Sequence, residues 1–203
     1  MNKFLLLVCS LVALELTGCN NPKDVSKSNF EKVINEKLKT EKLCVQPQTA
    51  SYVVRPYPVV IPIIDIGDNP QIKEMDYFVA AGLLVSSPTT STFGPFGIPL
   101  PRPGPARLYS LTDKGRQNYS GEPKYEFCYG SPQVAKIVEY TEPADMFGSH
   151  VTRVTFVVGV KDQADWASDQ AIQKRYRVVK PDSQAMAVLE LTSEGWKARE
   201  VHF

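Results

Sequence analysis

The residues that could do chemistry in this chain are few and poorly spaced for it. Its 203 positions hold two histidines, His150 and His202. A Ser-His-Asp site on His150 needs a nucleophile within reach, and the adjacent Ser149 points to the opposite face of any strand that carries both. No G-x-S-x-G or H-E-x-x-H string occurs, the patterns of a nucleophile elbow and of a zinc-protease helix. Carboxylates gather at Glu139, Glu142 and Asp145 and again at Asp162, Asp165 and Asp169. A calcium loop needs closely alternating oxygens and a turn glycine, which neither group supplies. Asp162 and Asp165 fit better at a helix start, where negative charge is favourable. Lys174-Arg175-Tyr176-Arg177, with Lys180 nearby, is a basic run that suits a solvated strand face. Trp166 and Trp196 suit core packing better than a ligand stack. These residues predict no catalytic group, no metal and no cofactor. The enzymatic alternative is a small envelope hydrolase or ligand-binding protein, with a pocket in a C-terminal sheet where His150, Trp166, Asp165 and Glu142 converge.

The string Leu16-Thr17-Gly18-Cys19 closes an apolar run, Phe4-Leu5-Leu6-Leu7-Val8-Cys9-Ser10-Leu11-Val12-Ala13-Leu14, which follows Lys3. The run is short for a bilayer span, and the small residue at its end fits a cleaved signal peptide. The tetrad resembles the lipobox of bacterial lipoproteins, with Glu15 a departure from the usual apolar stretch. That resemblance implies removal of residues 1–18 as a signal peptide and lipidation of Cys19 as the new first residue. Acyl chains there, at about 0.8 kcal/mol per buried CH₂, would hold the protein on a membrane surface. It also implies a bacterial cell envelope location. Asn20 replaces the Asp of an inner-membrane retention signal, which favours the periplasmic face of the outer membrane if the source is diderm. Cys9 would leave with the signal peptide, so Cys44 and Cys128 remain. In an oxidising compartment two such cysteines either pair or persist as separate buried thiols, and sequence leaves both open.

Loss of residues 1–18 removes one base, Lys3, and one acid, Glu15, so the formal charge of +1 is unchanged. That balance gives no electrostatic case for nucleic acid. Residues 19–28 are small and polar and fit a tether. Ser28-Asn29-Phe30-Glu31 has capping-box spacing, and Phe30, Val33, Ile34 and Leu38 follow at helical intervals, so a helix is expected near 29–40. Asp68-Asn69-Pro70 starts a second helix whose stripe is Ile72, Met75, Phe78 and Val79, with Gly82 as its stop. Between the two, 51–66, with prolines 56, 58 and 62, fits an edge strand or an extended segment. The stretch 88–106 carries Pro88, Pro95, Pro99, Pro101, Pro103 and Pro105, a density that predicts a long loop of polyproline II character. Beyond it, strands are expected at 124–129, 133–140, 150–160, 176–179, 186–191 and 196–201, with a short helix over 162–173.

Residues 29–120 therefore form an N-terminal helical and hairpin region, and 121–203 a C-terminal antiparallel sheet region. The first region, with two helices, Gly82 and the string Tyr109-Ser110-Leu111-Thr112-Asp113-Lys114-Gly115-Arg116 where a wing would turn, resembles winged-helix domains in fold only. Leu111-Thr112-Asp113-Lys114-Gly115 is echoed by Leu191-Thr192-Ser193-Glu194-Gly195; related halves or two ordinary hairpins both produce such an echo. The expected fold class is α+β: two N-terminal helices, a Pro/Gly-rich loop, and a C-terminal antiparallel sheet with one packed helix, in a cystatin-like or nuclear-transport-factor-like curl. The expected function is a membrane-tethered, non-enzymatic binding or assembly module of the envelope. Its partner is an envelope protein or the cell wall, met through Phe93, Phe96, Ile98, Pro101 and Arg102 of the 88–106 stretch.

Overall fold

The computed structural model describes residues 21–47, 56–63, 69–94, 97–146, 148–180 and 182–203. The main sheet is antiparallel, in the order β1 (Leu43–Val45), β5 (Phe127–Tyr140), β7 (Ser149–Lys161), β8 (Gln184–Thr192) and β9 (Gly195–His202), with β6 (Ala144–Met146) pairing on β7. A second sheet of three strands has β4 (Pro99–Leu111) between β2 (Val59–Pro62) and β3 (Leu84–Phe93). Four α-helices complete the described residues: α1 (Lys27–Leu38), α2 (Pro70–Ala80), α3 (Asp113–Asn118) and α4 (Gln170–Arg175). None of them is long and apolar enough to cross a membrane.

Strand β5 feeds two hydrophobic cores. Phe127 and Tyr129 enter one of them and Val134 and Ile137 the other, all buried. Register shifts after Val134 and after Ile137 alter which positions face inward along the strand. In the second core α1 lays Phe30, Ile34 and Leu38 onto the sheet against Val154, Phe156, Leu189 and Trp196. Phe30 meets Trp196 and Tyr140 edge-on, with centroids 5.3 and 5.1 Å apart. In the first core Met75 and Phe78 of α2 join Ile61, Tyr109, Trp166 and Tyr176, and Phe78 stacks on Phe127 at 5.0 Å. Glu74 of α2, itself buried, accepts hydrogen bonds from the Tyr176 hydroxyl and from Arg175 Nε.

The expected fold class needs correcting. Of the described residues 47% are strand and 24% helix, so the molecule is mostly β. The two N-terminal helices do not act together: α1 is the helix that covers the main sheet, whereas α2 belongs to the other core. The 88–106 stretch lies largely in β3 and β4, not in a loop. Helix α1 is capped by Ser26, whose Oγ accepts from the Asn29 N–H, two residues earlier than the capping box at Ser28. Residues 162–173 form a 3-10 turn, Asp165–Ser168, and the start of α4 instead of one helix, and 176–179 is not a strand. The 109–116 string makes no wing. Thr112 caps α3 by accepting from the Gly115 N–H, and a side chain at Gly115 would strike the Leu83 carbonyl at 2.0 Å. The echoing 191–195 string is a hairpin turn, with Thr192 opposite Gly195. The two strings thus share residues but no structure.

Cys44 and Cys128 face each other across β1 and β5 and are joined by a disulfide. The bond closes a separation of 84 residues. On the chain-entropy account a loop of that size stabilises by about 4–5 kcal/mol. The doubly substituted Cys44→Ser, Cys128→Ser protein should lose stability of that order in urea unfolding, against the oxidised wild type.

Burial also sets an alkaline limit. It pushes the hydroxyls of Tyr109 and Tyr119 up to about 12 and raises those of Tyr57 and Tyr129. In the unfolded chain these groups titrate near 10. The folded state therefore keeps protons that the unfolded state releases. The contribution to stability is complete below about pH 10 and is lost as pH rises toward about 12. Absorbance of phenolate at 295 nm should show these tyrosines ionising late, in step with loss of near-UV circular dichroism.

Candidate binding arm

Pro88 occupies a place where the ladder asks no donor of it, and Pro105 sits where the β2 ladder ends. Ile63 N–H donates to the Pro105 carbonyl at 2.9 Å, so the backbone polar atoms of Pro105 face β2. Its cross-strand partner on β3 is Thr90, and Pro88 lies opposite Arg107, two positions along the same alternation. The missing N–H of Pro88 therefore points to the outer edge of β3, where proline is tolerated. Further out the register slips between Ser91 and Phe93, which pair with Gly104 and Pro99. Pro101, Arg102 and Pro103 fall in the extra length of β4 taken up by that slip. Bulges also accept proline. A segment dense in breakers can thus be a strand.

What results is a projecting arm. Beyond the Thr89–Ala106 pair, where β2 ends, the hairpin runs on for four steps to Phe93, about 13 Å at ~3.3 Å per residue. Beyond the end of β2 the described arm has two strands. Leu100 plugs the outer end. A Cβ added at Gly94 or Gly104 would come within 3.0 or 3.1 Å of its methyl groups, so both glycines make room for it. Gly94 N–H donates to the Ile98 carbonyl at 2.7 Å, and Gly97 adopts a φ of +75° that favours glycine. The Ser91 hydroxyl accepts from the Phe93 N–H at 3.1 Å. On this frame Phe93 is 53% and Ile98 62% exposed, and Pro101 and Arg102 are exposed too. Phe96 and Cys19 lie outside the described residues.

The base of the arm is tied to α2. Arg107 Nη1 donates to both oxygens of Asp76, at 3.1 and 3.2 Å, and the hydroxyl of the buried Tyr109 donates to the same carboxylate at 3.1 Å. Arg107 and Asp76 are each more than one-third exposed, so the ion pair orients more than it stabilises. Burial of Tyr109 and Leu84 supplies the hold.

Elsewhere the anticipated pocket does not assemble. Trp166 is packed among Phe127 and Tyr129 in the first core. His150 instead lies 6.2 Å from the ring of Trp196, in the second, and hydrogen-bonds Asp145 at 2.8 Å on an exposed hairpin. An open hollow of about 390 Å³ does occur beside the disulfide, lined by Lys42, Asn118, Tyr119, Tyr129, Ser131 and Asp162, but none of the four anticipated residues reaches it. Glu126 lies within 4.8 Å of both sulfurs of Cys44 and Cys128. Bonded to each other, those sulfurs offer no thiolate to a cation. Sequence reasoning missed Leu100 and the exposed Val85 on the arm, and missed that the arm has a frame at all. The signal available was the restriction of prolines to alternate positions 99, 101, 103 and 105. Compared with protein-family models, curated proteins and solved structures, the chain matches none.

Replacing Leu100 by Ala should loosen the outer end alone. Removing about 1.4 kcal/mol of half-buried apolar contact corresponds to a tenfold faster local opening. Amide exchange at Gly94 should accelerate by about that factor, while the melting temperature stays within about a degree of wild type.

Proposed function

We propose that this chain is a lipid-anchored, non-enzymatic protein of the bacterial envelope that holds an envelope protein or wall partner through its β3–β4 arm. The observation that carries the reading is the arm itself. It is a framed projection whose outer end exposes Phe93 and Ile98 and whose whole length, 84–111, contains two arginines and no carboxylate. Exposed large apolar groups gathered on one projection mark an interaction surface more often than chance. A preformed frame reduces the ordering cost of binding. Recognition would run through side chains, because Pro88 interrupts the donors of the outer β3 edge and so discourages strand addition. The lipobox resemblance at 16–19 supports the anchor. The partner surface that suits the arm is apolar with acidic groups at its rim, to meet Arg102.

The test is in-cell photocrosslinking from a probe at Ile98, with the double change Phe93→Ser, Ile98→Ser as the control, the probe then placed at Arg102. These substitutions keep the β2–β4 pairing intact, which deleting 88–106 would not. Apolar anchors at the centre of an interface typically contribute about 2 kcal/mol or more, so capture should fall about thirtyfold. Undiminished capture from the doubly substituted arm would refute the placement of the site.

A further inference from the structure

The segment that precedes α1 is not a free tether. Asn29, 7% exposed, donates its side-chain amide to the carbonyls of Asn21, at 2.7 Å, and Asp24, at 3.0 Å. Trp196, 3% exposed, donates its backbone N–H to Pro22 and its indole N–H to Lys23, both at 3.1 Å. Four consecutive carbonyls, of residues 21 to 24, are thus engaged by two buried side chains and one strand. Gly195 lets the segment lie flat, since a Cβ there would come within 2.7 Å of Pro22. The expectation of a polar spacer over 19–28 therefore fails from Asn21 onward.

Cys19 stands two residues before Asn21. Two residues of extended chain span at most about 7 Å. An acyl group on Cys19 accordingly leaves the folded domain almost no slack above the bilayer. The elements around the docking point must then meet the lipid surface. Leu191 pairs with both Trp196 and His150, so the β8–β9 turn and the β6–β7 hairpin end on the same side of the sheet. Met146, 54% exposed, lies on that hairpin, and Val25, 45% exposed, lies on the docked segment. The acidic groups of this end include Asp24, Glu142, Asp145, Glu190 and Glu194. Asp24 follows Lys23 directly, Asp145 hydrogen-bonds His150 at 2.8 Å, and Glu194 pairs with Lys197 at 2.7 Å. Glu190 pairs with Arg199 at 3.4 Å, and Lys23 and Lys27 lie on or beside the docked segment, so acidic and basic groups are mixed at this end.

We propose that the end of the sheet formed by the docked 21–24 segment, the β8–β9 turn and Met146 rests on the bilayer surface in a fixed orientation. The inference deepens the anchor reading of Proposed function and rests on it. Strand β5 then carries the chain away from the lipid. Its 14 residues span about 40 Å between Tyr140, near the docking point, and Phe127, at the core from which the arm springs.

Acylated protein purified from envelopes, reconstituted into phosphatidylethanolamine–phosphatidylglycerol vesicles with nitroxide-labelled lipid, tests the orientation. A bimane probe is attached at Met146→Cys or at Ile98→Cys, with Cys44 and Cys128 protected as the disulfide. Quenching by the lipid nitroxide should be about threefold or more stronger at position 146, as for a group at the headgroup boundary. Inserting twelve Gly/Ser residues between Asn20 and Asn21 should abolish the difference. Equal quenching at the two positions in acylated protein, or a difference that survives the insertion, overturns the orientation and leaves the anchor standing. The mass of the N-terminal peptide reads the anchor separately, and a Cys19 without acyl groups overturns anchor and orientation together.

Discussion

The alignment of β1 on β5, with Cys44 bonded to Cys128, is the constraint on which both cores depend. Side chains alternate along a strand, so a slip of β1 by one residue would turn Val45 out of the first core. It would also shift β1 against α1, which ends at Leu38, five residues before Leu43, and carries Phe30, Ile34 and Leu38 into the second core. Alternation along β5 sends Phe127 and Tyr129 to one core and Val134 to the other, and the shift after Val134 brings Ile137 back to the same face as Val134. The disulfide sits between the end of the segment that follows α1 and the start of β5. It therefore fixes the helix that covers one core to the strand that enters the other.

What the sequence made legible was whatever local physics decides. The stripe of Phe30, Ile34 and Leu38 gives α1 its buried face. Asn69, Pro70 and Gly82 start and stop α2 as their side chains and backbone preferences require, with Asn69 accepting from the Gln71 and Ile72 amides and Gly82 at a φ of +74°. The Thr192–Gly195 turn likewise follows from its own residues. Long-range pairing decided the rest. Gly130, Ser131 and Pro132 look like a break between two strands, yet β7 pairs with Ser131 and Pro132 and carries the ladder across them. Thr112 and Gly115 look like a turn, and become a helix cap because Thr112 also donates to the Gly82 carbonyl and Gly115 lies against Leu83.

The candidate site shows the same division. The sequence pointed to 88–106 because its prolines and glycines predict a long loop, and long loops in compact domains are commonly functional. The frame was not visible, since a proline count says nothing about which side of a ladder each missing donor faces. One hydrogen bond, from Ile63 to Pro105, sets that phase for the inner arm. The slip in register then removes the outer prolines from the ladder. These placements give the stretch a paired strand frame, which an irregular loop would lack.

Tether and arm are physically coupled although they share no contact. A long flexible spacer would let an anchored domain tumble, and its arm would sample every height above the membrane. Here the carbonyls of residues 21 to 24 are held by Asn29 and Trp196. Trp196 touches Phe30 of α1, and α1 packs on β5. From β5 the path runs through Phe127 and Phe78 to α2, and from Asp76 of α2 to Arg107 and Tyr109 on β4. Each link is a buried aromatic contact, a strand pairing or a multiply bonded polar group, so little compliance is left along it. On the proposed anchor at Cys19, an arm borne on such a chain of contacts would stay at one height and one bearing above the lipid. Confinement of that kind raises the effective concentration of the arm for a partner surface at the same height, without any increase in intrinsic affinity. A weak side-chain interface would then suffice for the proposed capture, in keeping with an arm end whose described residues offer Phe93, Ile98 and Arg102 instead of a broad buried patch.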